Sequence, residues 1–372
     1  MEIAMKKKMS DLTRRSFLSA GAAALVGAAA AKAGTELPRG GRDKGPMRVA
    51  LAGCGARGML LLEGLRTLAT DGVPVRVAVV ADEDSARRQA AAGLAGAAAC
   101  GDWRDCAGRR DVDGVIIALP DDLHAPAALE ALKSGKHVYM ETPVARSGDE
   151  ARVLAQAARV SGAVIEVGAA ECALPAWRLA ADLVRSGRIG RVHGCHSVAA
   201  CGIRGGAAGW RGERGRSQGL AAQLHYDQIM PLLQALHPGP ATSASTAGGR
   251  WDGLGGTPDS LMSTIHFGEG LTANLVSSAL NTTGQRPMLR GDLGSIEVCT
   301  QGVLLMPERG PEQWIPAPSG PLAAEQLLLR DWVEAVRSGQ PPLCPLSLGL
   351  ASQTAVDLCL AAYGDGKAAW QA

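Results

Sequence analysis

The stretch Met47-Arg48-Val49-Ala50-Leu51-Ala52-Gly53-Cys54-Gly55-Ala56-Arg57-Gly58 decides the fold of this chain. A short apolar strand runs into three glycines at G-x-G-x-x-G spacing, and an apolar helical pattern follows them to about Thr67. Gly53 permits a tight turn, Gly55 lets the backbone approach a diphosphate, and Gly58 lets the helix pack close to the strand. The first N–H groups of that helix would face the phosphates. The residues of this predicted dinucleotide-binding turn are Gly53, Gly55, Ala56, Arg57 and Gly58.

A second apolar strand, residues 75–81, ends at Asp82, in the window about 20 to 30 residues past such glycines where an acid reads the adenosine ribose. A carboxylate there accepts hydrogen bonds from both ribose hydroxyls and repels a phosphate on that ribose. The sequence therefore favours NAD, although Arg87 and Arg88 keep NADP as an alternative. A glycine turn in an ordinary α/β domain, with Asp82 capping a helix, is the competing interpretation.

Composition limits the class of protein. The chain has 372 residues, of which 47% are hydrophobic and 20% are charged, so two domains of ordinary size are expected. Residues 1–33 carry six basic and two acidic side chains, which leaves 32 basic and 34 acidic ones in the rest. That slightly acidic remainder offers no basic stripe for nucleic acid. The nine cysteines lack metal-ligand spacing, so no metal is expected. The pairs Cys100 with Cys106 and Cys195 with Cys201 are candidate bridges, and buried thiols are the favoured interpretation.

Residues 1–33 read as a leader peptide. The segment Thr13-Arg14-Arg15-Ser16-Phe17-Leu18 resembles a twin-arginine export signal, and Ala31-Lys32-Ala33 supplies small residues for a peptidase. The intervening apolar run is too short and too rich in alanine for a membrane anchor. We therefore expect export of a folded protein through the twin-arginine machinery, to the periplasm or outside, with no stable membrane insertion. Residues 34–46 read as a linker.

Strands and helices alternate through residues 47–168, as a parallel doubly wound sheet requires. In such sheets ligands bind at the carboxyl ends of the strands. Leu119 ends the strand 114–119, and Pro120 and His124 follow it, so all three are candidate cofactor contacts. For His124 the alternative is a residue of the first helical turn that bonds the neighbouring loop.

The pattern changes within residues 169–372. An amphipathic helix near 175–186 precedes several strand-like runs joined by glycine-containing turns, which predicts an α+β domain with an open, largely antiparallel sheet. These runs are 191–199, 261–267, 271–278, 288–291, 295–298 and 303–306. Two final helices, near 323–338 and 348–362, are candidates to pack back on the first domain.

The motifs together point to one family. They are the glycine stretch, Asp82, residues 113–120, 131–138 and 183–190, Glu141-Thr142-Pro143 and Cys344-Pro345. Through them the chain resembles the glucose-fructose oxidoreductase and inositol dehydrogenase (Gfo/Idh/MocA) family over nearly all of residues 47–370. The resemblance implies a nicotinamide-binding Rossmann domain, an open-faced sheet domain, and a sugar or polyol bound between them. It also implies assembly of identical copies through the open sheet and a cofactor contact at Glu141, whose alternative is a helix cap.

The chain departs from the family where protons are handled. The family usually has Glu-Lys-Pro, and here Thr142 replaces the lysine, with a hydroxyl that orients a group but is no base near neutral pH. The family also commonly reads Asp-x-Gly-x-His-x-x-Asp, where Leu224 takes the histidine position, His225 comes one residue later, and Asp227 takes the second acidic position. One residue rotates a helix side chain by about 100°. His225 therefore either reaches the cleft by a local adjustment or points elsewhere. The candidate catalytic residues are His225, Thr142 and Asp227.

Other charged residues are weaker candidates. Glu171 stands where relatives often carry arginine, so it could contact substrate. Four arginines lie in the glycine-rich segment 202–219, where they either grip an anionic substrate or remain solvated. They are Arg204, Arg211, Arg214 and Arg216.

Three functions remain open at this point. The favoured one is an exported NAD(P)-dependent oxidoreductase that transfers hydride between nicotinamide and a hydroxyl of a sugar, a polyol or a derivative. The second is an NAD-dependent glycosidase that oxidises its substrate transiently, eliminates the aglycone and regenerates the cofactor, as some relatives without the lysine do. The third is a sugar-binding protein that kept the fold and lost the chemistry, in agreement with Thr142 and Leu224.

Overall fold

The computed structural model describes residues 45–202, 209–213, 215–251, 256–282, 286–365 and 369–370. The expected leader, nearly all of the expected linker, Arg204 and Arg214 lie outside the described residues. The elements of the first domain are β1 Met47–Ala52, α1 Ala56–Thr70, β2 Val75–Ala81, α2 Ser85–Ala95, β3 Ala98–Cys100, α3 Trp103–Gly108, β4 Gly114–Ile117, α4 Asp121–Lys133, β5 His137–Met140, α5 Gly148–Ser161 and β6 Ile165–Val167.

The first domain is built on a parallel sheet in the order β3-β2-β1-β4-β5-β6. Its central strands are buried on both faces, which matches the continuous apolar runs that the sequence shows there. Local signals set several helix starts, since Asp84 accepts a hydrogen bond from the Arg87 N–H and Ser147 accepts one from the Glu150 N–H. The prediction of a doubly wound α/β domain is confirmed.

The second domain holds the remaining elements. They are α6 Ala170–Ala173, α7 Pro175–Arg185, β7 Val192–Ala200, α8 Leu220–Leu236, β8 Ala241–Gly249, β9 Ser260–Phe267, β10 Thr272–Ser278, β11 Met288–Gly291, β12 Gly294–Cys299, β13 Gly302–Pro307, β14 Gln313–Pro316, α9 Ala324–Ser338, α10 Leu346–Asp365 and β15 Ala369–Trp370.

The second sheet runs β14-β13-β12-β11-β7-β10-β9-β8-β15, and its pairs are antiparallel except β7 with β10. Helices α7, α8 and α10 pack on it. Along β9 buried residues alternate with more exposed ones, and Met262 is 57% exposed. The prediction of an open, largely antiparallel sheet is confirmed. Strand β8 was not predicted, because its small and polar residues show no apolar alternation; pairing with β9 makes it a strand.

The last two helices return to the first domain. Trp332 on α9 meets Tyr139 of β5 edge to face, with ring centroids 5.9 Å apart. A β-carbon added to Gly64 on α1 would lie 3.2 Å from Leu329, so α9 packs closely against α1. Helix α10 contains a stretch, Leu346–Gly364, that is long and apolar enough to cross a membrane, and half of it is buried within the protein. Such burial is what a core helix of a folded domain shows.

A buried carboxyl group lies where the segment between α9 and α10 meets the first domain. Glu166 on β6 is fully buried; its Oε1 accepts a hydrogen bond from the Cys344 N–H at 2.9 Å, while its Oε2 has no partner among the described residues. Burial raises the pKa of Glu166 to about 10, so the folded protein holds this side chain neutral at pH 7. The neutral form contributes stability that is complete below the unfolded pKa and is lost progressively as the pH rises towards 10.

Replacing this carboxyl group should change the pH dependence of stability. Glu166→Gln keeps the shape and an acceptor for Cys344 but cannot ionise when the chain unfolds. The free energy of unfolding of the variant minus that of the wild type should increase by about 1 kcal/mol for each pH unit above pH 5. Urea unfolding at pH 5, 6.5 and 8 measures this. A constant difference across that range would contradict a neutral Glu166.

Candidate active site

A cavity of about 1030 Å³ lies between the two domains. On the side of the first domain it is lined by segments that follow each of the strands β1 to β6, and on the other side by β7 and one face of α8. The predicted site residues that line it are Gly53, Gly55, Ala56, Arg57, Asp82, Leu119, Pro120, His124, Glu141, Thr142, Glu171 and Asp227. These predicted site residues of the first domain therefore lie together at the carboxyl edge of the parallel sheet, where ligands bind in this architecture.

The three glycines of the first turn do different work. A β-carbon on Gly53, whose φ is +96°, would lie 2.3 Å from the Ala118 carbonyl oxygen. One on Gly58 would lie 1.9 Å from the Gly53 carbonyl oxygen, so the helix reaches the strand only without a side chain there. Gly55 has an ordinary φ of −71°, and a β-carbon there would meet no described atom within 4 Å. It borders the cavity, so its bare backbone fits a diphosphate.

Asp82 ties this turn to the end of β2. Its Oδ2 accepts a hydrogen bond from the Cys54 N–H at 2.8 Å, and its Oδ1 accepts one from the Asp84 N–H at 2.9 Å. Arg87 Nη2 lies 3.2 Å from the same Oδ1. Each carboxylate oxygen accepts more than one hydrogen bond, so Asp82 retains capacity for ribose hydroxyls at the cavity edge. The cap of α2 is Asp84, so the helix-cap alternative for Asp82 does not hold.

Arg57 connects the glycine turn to two other elements. Its Nε lies 2.8 Å from Glu141 Oε2 at the end of β5, and its Nη1 lies 3.0 Å from Glu325 Oε1 on α9. Burial raises the pKa of Glu141 to about 7, and Arg57 opposes that rise. Glu141 Oε1 has no hydrogen-bond partner among the described residues, although it is buried. A buried acceptor at the cavity wall could accept a hydrogen bond from a donor on a bound cofactor, and the cofactor contact at Glu141 stays a prediction.

Thr142 and Asp227 meet across the cleft. The Thr142 hydroxyl donates a hydrogen bond to Asp227 Oδ1 at 3.0 Å, which joins the end of β5 to α8. Burial raises the pKa of Asp227 to about 6, and the Thr142 hydrogen bond limits that rise. An acid that ionises near neutral pH at a cavity wall is suited to accept a proton from a substrate hydroxyl.

His225 does not reach the cleft. Its Nε2 lies 2.8 Å from Ser263 Oγ and its Nδ1 lies 2.5 Å from Ser277 Oγ, both on the sheet behind α8. The side chain is fully buried, and burial lowers its pKa to about 3. The expectation of a catalytic His225 is therefore corrected: of the two alternatives, the histidine points elsewhere, because the one-residue shift turns it from the cavity to the sheet. Leu224 takes the cavity-facing position.

His124 borders the cavity, but both of its ring nitrogens already contact the backbone. Nε2 lies 2.7 Å from the Leu119 carbonyl oxygen and Nδ1 lies 2.7 Å from the Pro143 carbonyl oxygen. The ring thus holds together the ends of β4 and β5, in agreement with the loop-bonding alternative. Leu119 and Pro120 themselves line the cavity.

On the substrate side of the cavity, sequence reasoning named Arg211 as a weaker candidate and missed Trp210, Gln223 and Gln228. Asp121 is buried with a raised pKa because of burial, and its Oδ2 accepts a hydrogen bond from Ser217 Oγ at 2.7 Å. Arg211 lies 4.3 Å over the Trp210 ring and both line the cavity. On α8 a spacing of three and four residues brings one face to the cavity, which is a signal that the sequence carries. That face consists of Gln223, Leu224, Asp227, Gln228 and Pro231.

Other predicted candidates have definite places. Glu171 lines the cavity, where partial desolvation and the negative charge of Glu325 raise the pKa of its carboxyl group. Arg216 also lines the cavity, with its Nε 3.4 Å from Asp122 Oδ1. All nine cysteines are free thiols. Across the described ranges, no group of three or more His, Cys, Asp or Glu side chains is arranged to hold a metal ion.

A glycine turn on a parallel sheet, facing an open sheet across a cavity, defines a two-domain dinucleotide-binding protein. Residues 47–169 match the family model described as oxidoreductase family, NAD-binding Rossmann fold, and residues 177–297 match the GFO/IDH/MocA C-terminal domain. The two matches together cover more than half of the chain. The chain belongs to the Gfo/Idh/MocA family, as its motifs predicted, and the NAD prediction is confirmed by the first match.

Three relatives illustrate the range of the family. The chain is 30% identical to 1,5-anhydro-D-fructose reductase of Ensifer adhaerens over 45% of this chain and 50% of that protein. It is 27% identical to 2,7-anhydro-N-acetylneuraminate hydratase of Escherichia coli over 51% and 52%, respectively. The chain thus spans about half the length of these curated relatives. A levoglucosan dehydrogenase in complex with NADH and levoglucosan shares the fold, with a TM-score of 0.80 and 18% identity over 87% of this chain and 99% of that chain.

The separate roles of Gly55 in cofactor binding and of Gly53 in packing can be tested by substitution. Gly55→Val places a side chain where the structure leaves open cavity, so we expect unchanged thermal stability and NAD affinity reduced by at least about 100-fold. Calorimetry measures the affinity. The matched variant Gly53→Ala should instead lower the melting temperature, because its β-carbon would meet the Ala118 carbonyl oxygen. Full NAD affinity in Gly55→Val would exclude this turn as the diphosphate site.

Proposed function

We propose that this protein is an NAD-dependent oxidoreductase that transfers hydride between nicotinamide and a hydroxyl of a sugar, a polyol or a derivative. The observation that carries the proposal is the 3.0 Å contact between Thr142 and Asp227 at the wall of the cavity. It places a titratable acid from the second domain beside the carboxyl end of β5 in the parallel sheet. NAD, when bound, supplies the hydride acceptor.

Asp227 acts as the proton acceptor in this proposal. The family's lysine is absent at Thr142 and its histidine position is Leu224. Asp227 is a cavity-lining titratable group that is hydrogen-bonded to the residue in the lysine position. Its pKa of about 6 leaves it mainly ionised at pH 7 and still basic enough to take a proton. Thr142 donates to one carboxylate oxygen and thereby orients the other oxygen towards a substrate hydroxyl.

The remaining cavity residues bind and exclude water. Gly55 and Asp82 hold the diphosphate and the adenosine ribose, and Glu141 receives a donor nearer the reacting end. Trp177 and Trp210 line the cavity and offer apolar faces for the C–H side of a sugar ring, while Gln223 and Gln228 can bond its hydroxyls.

Export and assembly belong to the same proposal. The Thr13–Leu18 signal supports twin-arginine export of the folded protein, and its cofactor would then be loaded before transport. The open face of the second sheet, where Met262 is exposed, supports assembly of identical subunits.

The pH dependence of alcohol oxidation tests Asp227 as the base. Because only the ionised carboxylate accepts a proton, kcat/KM should fall about tenfold per pH unit below pH 6 and level off above it. Asp227→Asn should lower kcat by about 10² to 10⁴ and remove that limb. Asp357→Asn, which removes a buried acid that does not line the cavity, serves as the control and should keep the limb near pH 6. A wild-type rate in Asp227→Asn would exclude Asp227 as the base.

The hydrogen bond from Thr142 should set the pH at which kcat/KM begins to fall. Thr142→Val removes the hydroxyl with little change in shape, so the pKa of Asp227 should rise and the limb should move to higher pH. Thr142→Ser keeps a donor and should stay near the wild type. The pH profiles of the two variants, measured side by side, separate loss of the hydrogen bond from loss of packing. Identical profiles would place the Thr142 hydroxyl outside proton transfer.

A second candidate, an NAD-dependent glycosidase with a closed cofactor cycle, has specific support because one relative is named a hydratase and not a dehydrogenase or reductase. Net NADH formation with sugars or polyols selects the oxidoreductase. Release of an aglycone from nitrophenyl glycosides without net NADH selects a glycosidase with a closed NAD cycle. Sugar binding without either reaction selects a binding protein, and it would overturn the proposal.

A further inference from the structure

We propose that Cys100 and Cys106 form a reversible disulfide that orders the wall at the adenosine end of the cleft. Cys100 is the last residue of β3, and Cys106 lies on α3. Their sulfur atoms are 3.5 Å apart. Cys172 and Cys344 also interact with each other, but both side chains are fully buried. Cys106 is fully buried, whereas Cys100 is partly exposed and can be reached from solvent.

The geometry requires only a local change. A disulfide bond is about 2.05 Å long, so the two sulfurs must approach by about 1.5 Å. The other pair that the sequence suggested does not offer this. Cys195 is buried within β7 and Cys201 is exposed just after it, six residues along an extended strand and therefore about 20 Å away.

The exchange chemistry balances with a disulfide as oxidant. The Cys100 thiolate attacks a low-molecular-weight disulfide, forms a mixed disulfide and releases one thiol. The Cys106 sulfur then attacks the Cys100 sulfur, forms the intramolecular bond and releases the second thiol. The two cysteines lose two electrons and two protons, and the oxidant gains them.

Burial governs the rate. It raises the pKa of both thiols, which Arg109 opposes, so the reactive thiolate is scarce. Exchange should therefore be slow in the folded protein, and a bond once formed should persist. Exposed Cys201 should react with the same oxidant much faster, which makes it an internal control.

The bond would enclose part of the cavity wall. Gly101, Asp102, Trp103 and Arg104 lie between the two cysteines, and all four line the cavity beside Asp82. The Cys100 carbonyl oxygen accepts a hydrogen bond from the Asp82 N–H at 3.4 Å. Closing the ring would limit the motion of this wall and of its contact with Asp82, so the oxidised protein would lose less entropy when it binds a ligand there.

Peptide mapping tests the bond directly. The protein is equilibrated with oxidised glutathione, alkylated and digested with trypsin, which cuts after Arg104 between the two cysteines. We expect peptides 89–104 and 105–109 linked by a disulfide, and unlinked peptides after treatment with dithiothreitol. Cys106→Ser should instead carry glutathione on Cys100. If both cysteines remain alkylated while Cys201 carries glutathione, the proposal is overturned.

A second measurement tests whether the disulfide orders the cavity wall beside Asp82. This part of the proposal rests on the proposed function. The oxidised protein should bind NAD about 3- to 10-fold more tightly than the reduced protein, and Cys106→Ser should show no difference between the two conditions. Equal affinities in the two states of the wild type would overturn the ordering role. Absence of NAD binding in both states would refute the proposed function instead, while the linked peptides would still decide the disulfide.

Discussion

The close contact between the first glycine turn and the end of β4 is the constraint on which the cleft depends. Gly53 and Gly58 leave so little room that a β-carbon on either would overlap backbone. This approach brings the Cys54 N–H to Asp82 and Arg57 to Glu141, so one turn positions residues from three other elements. A looser turn would separate the diphosphate cradle from the strand end where chemistry is expected.

Desolvation determines how the acids of the protein behave. Glu166 and Glu141 are buried and Asp227 is partly buried, and withdrawal from water is the main cause of the raised pKa of each. They differ in their partners. Arg57 restrains the rise at Glu141 and the Thr142 hydroxyl restrains it at Asp227. At Glu166 the Cys344 N–H opposes the rise, but Asp331 adds to it. The two acids at the cavity therefore titrate near neutral pH, and the one outside it stays neutral.

The positions of the side chains show what the two departures from the family pattern, at residues 142 and 225, do in this fold. Thr142 is too short to act as the family's lysine does, but it reaches Asp227 and bonds to it. His225 sits on the opposite side of α8, held by two serines of the sheet, where it completes a buried polar network. The same helix thus turns its acid to the cavity and its histidine to the core.

The sequence alone determined the doubly wound first domain, the open second sheet, the family and the cofactor. These follow from local periodicity, glycine spacing and motifs, because each is written in residues close together in the chain. Strand β8 could not be predicted from the sequence, because this segment of small and polar residues is extended only through its pairing with β9. Tertiary structure decided which side of α8 faces the cavity, that His124 bonds two carbonyl groups, and that α9 brings Glu325 to Arg57. Those outcomes depend on packing between residues far apart in sequence, which no local pattern encodes.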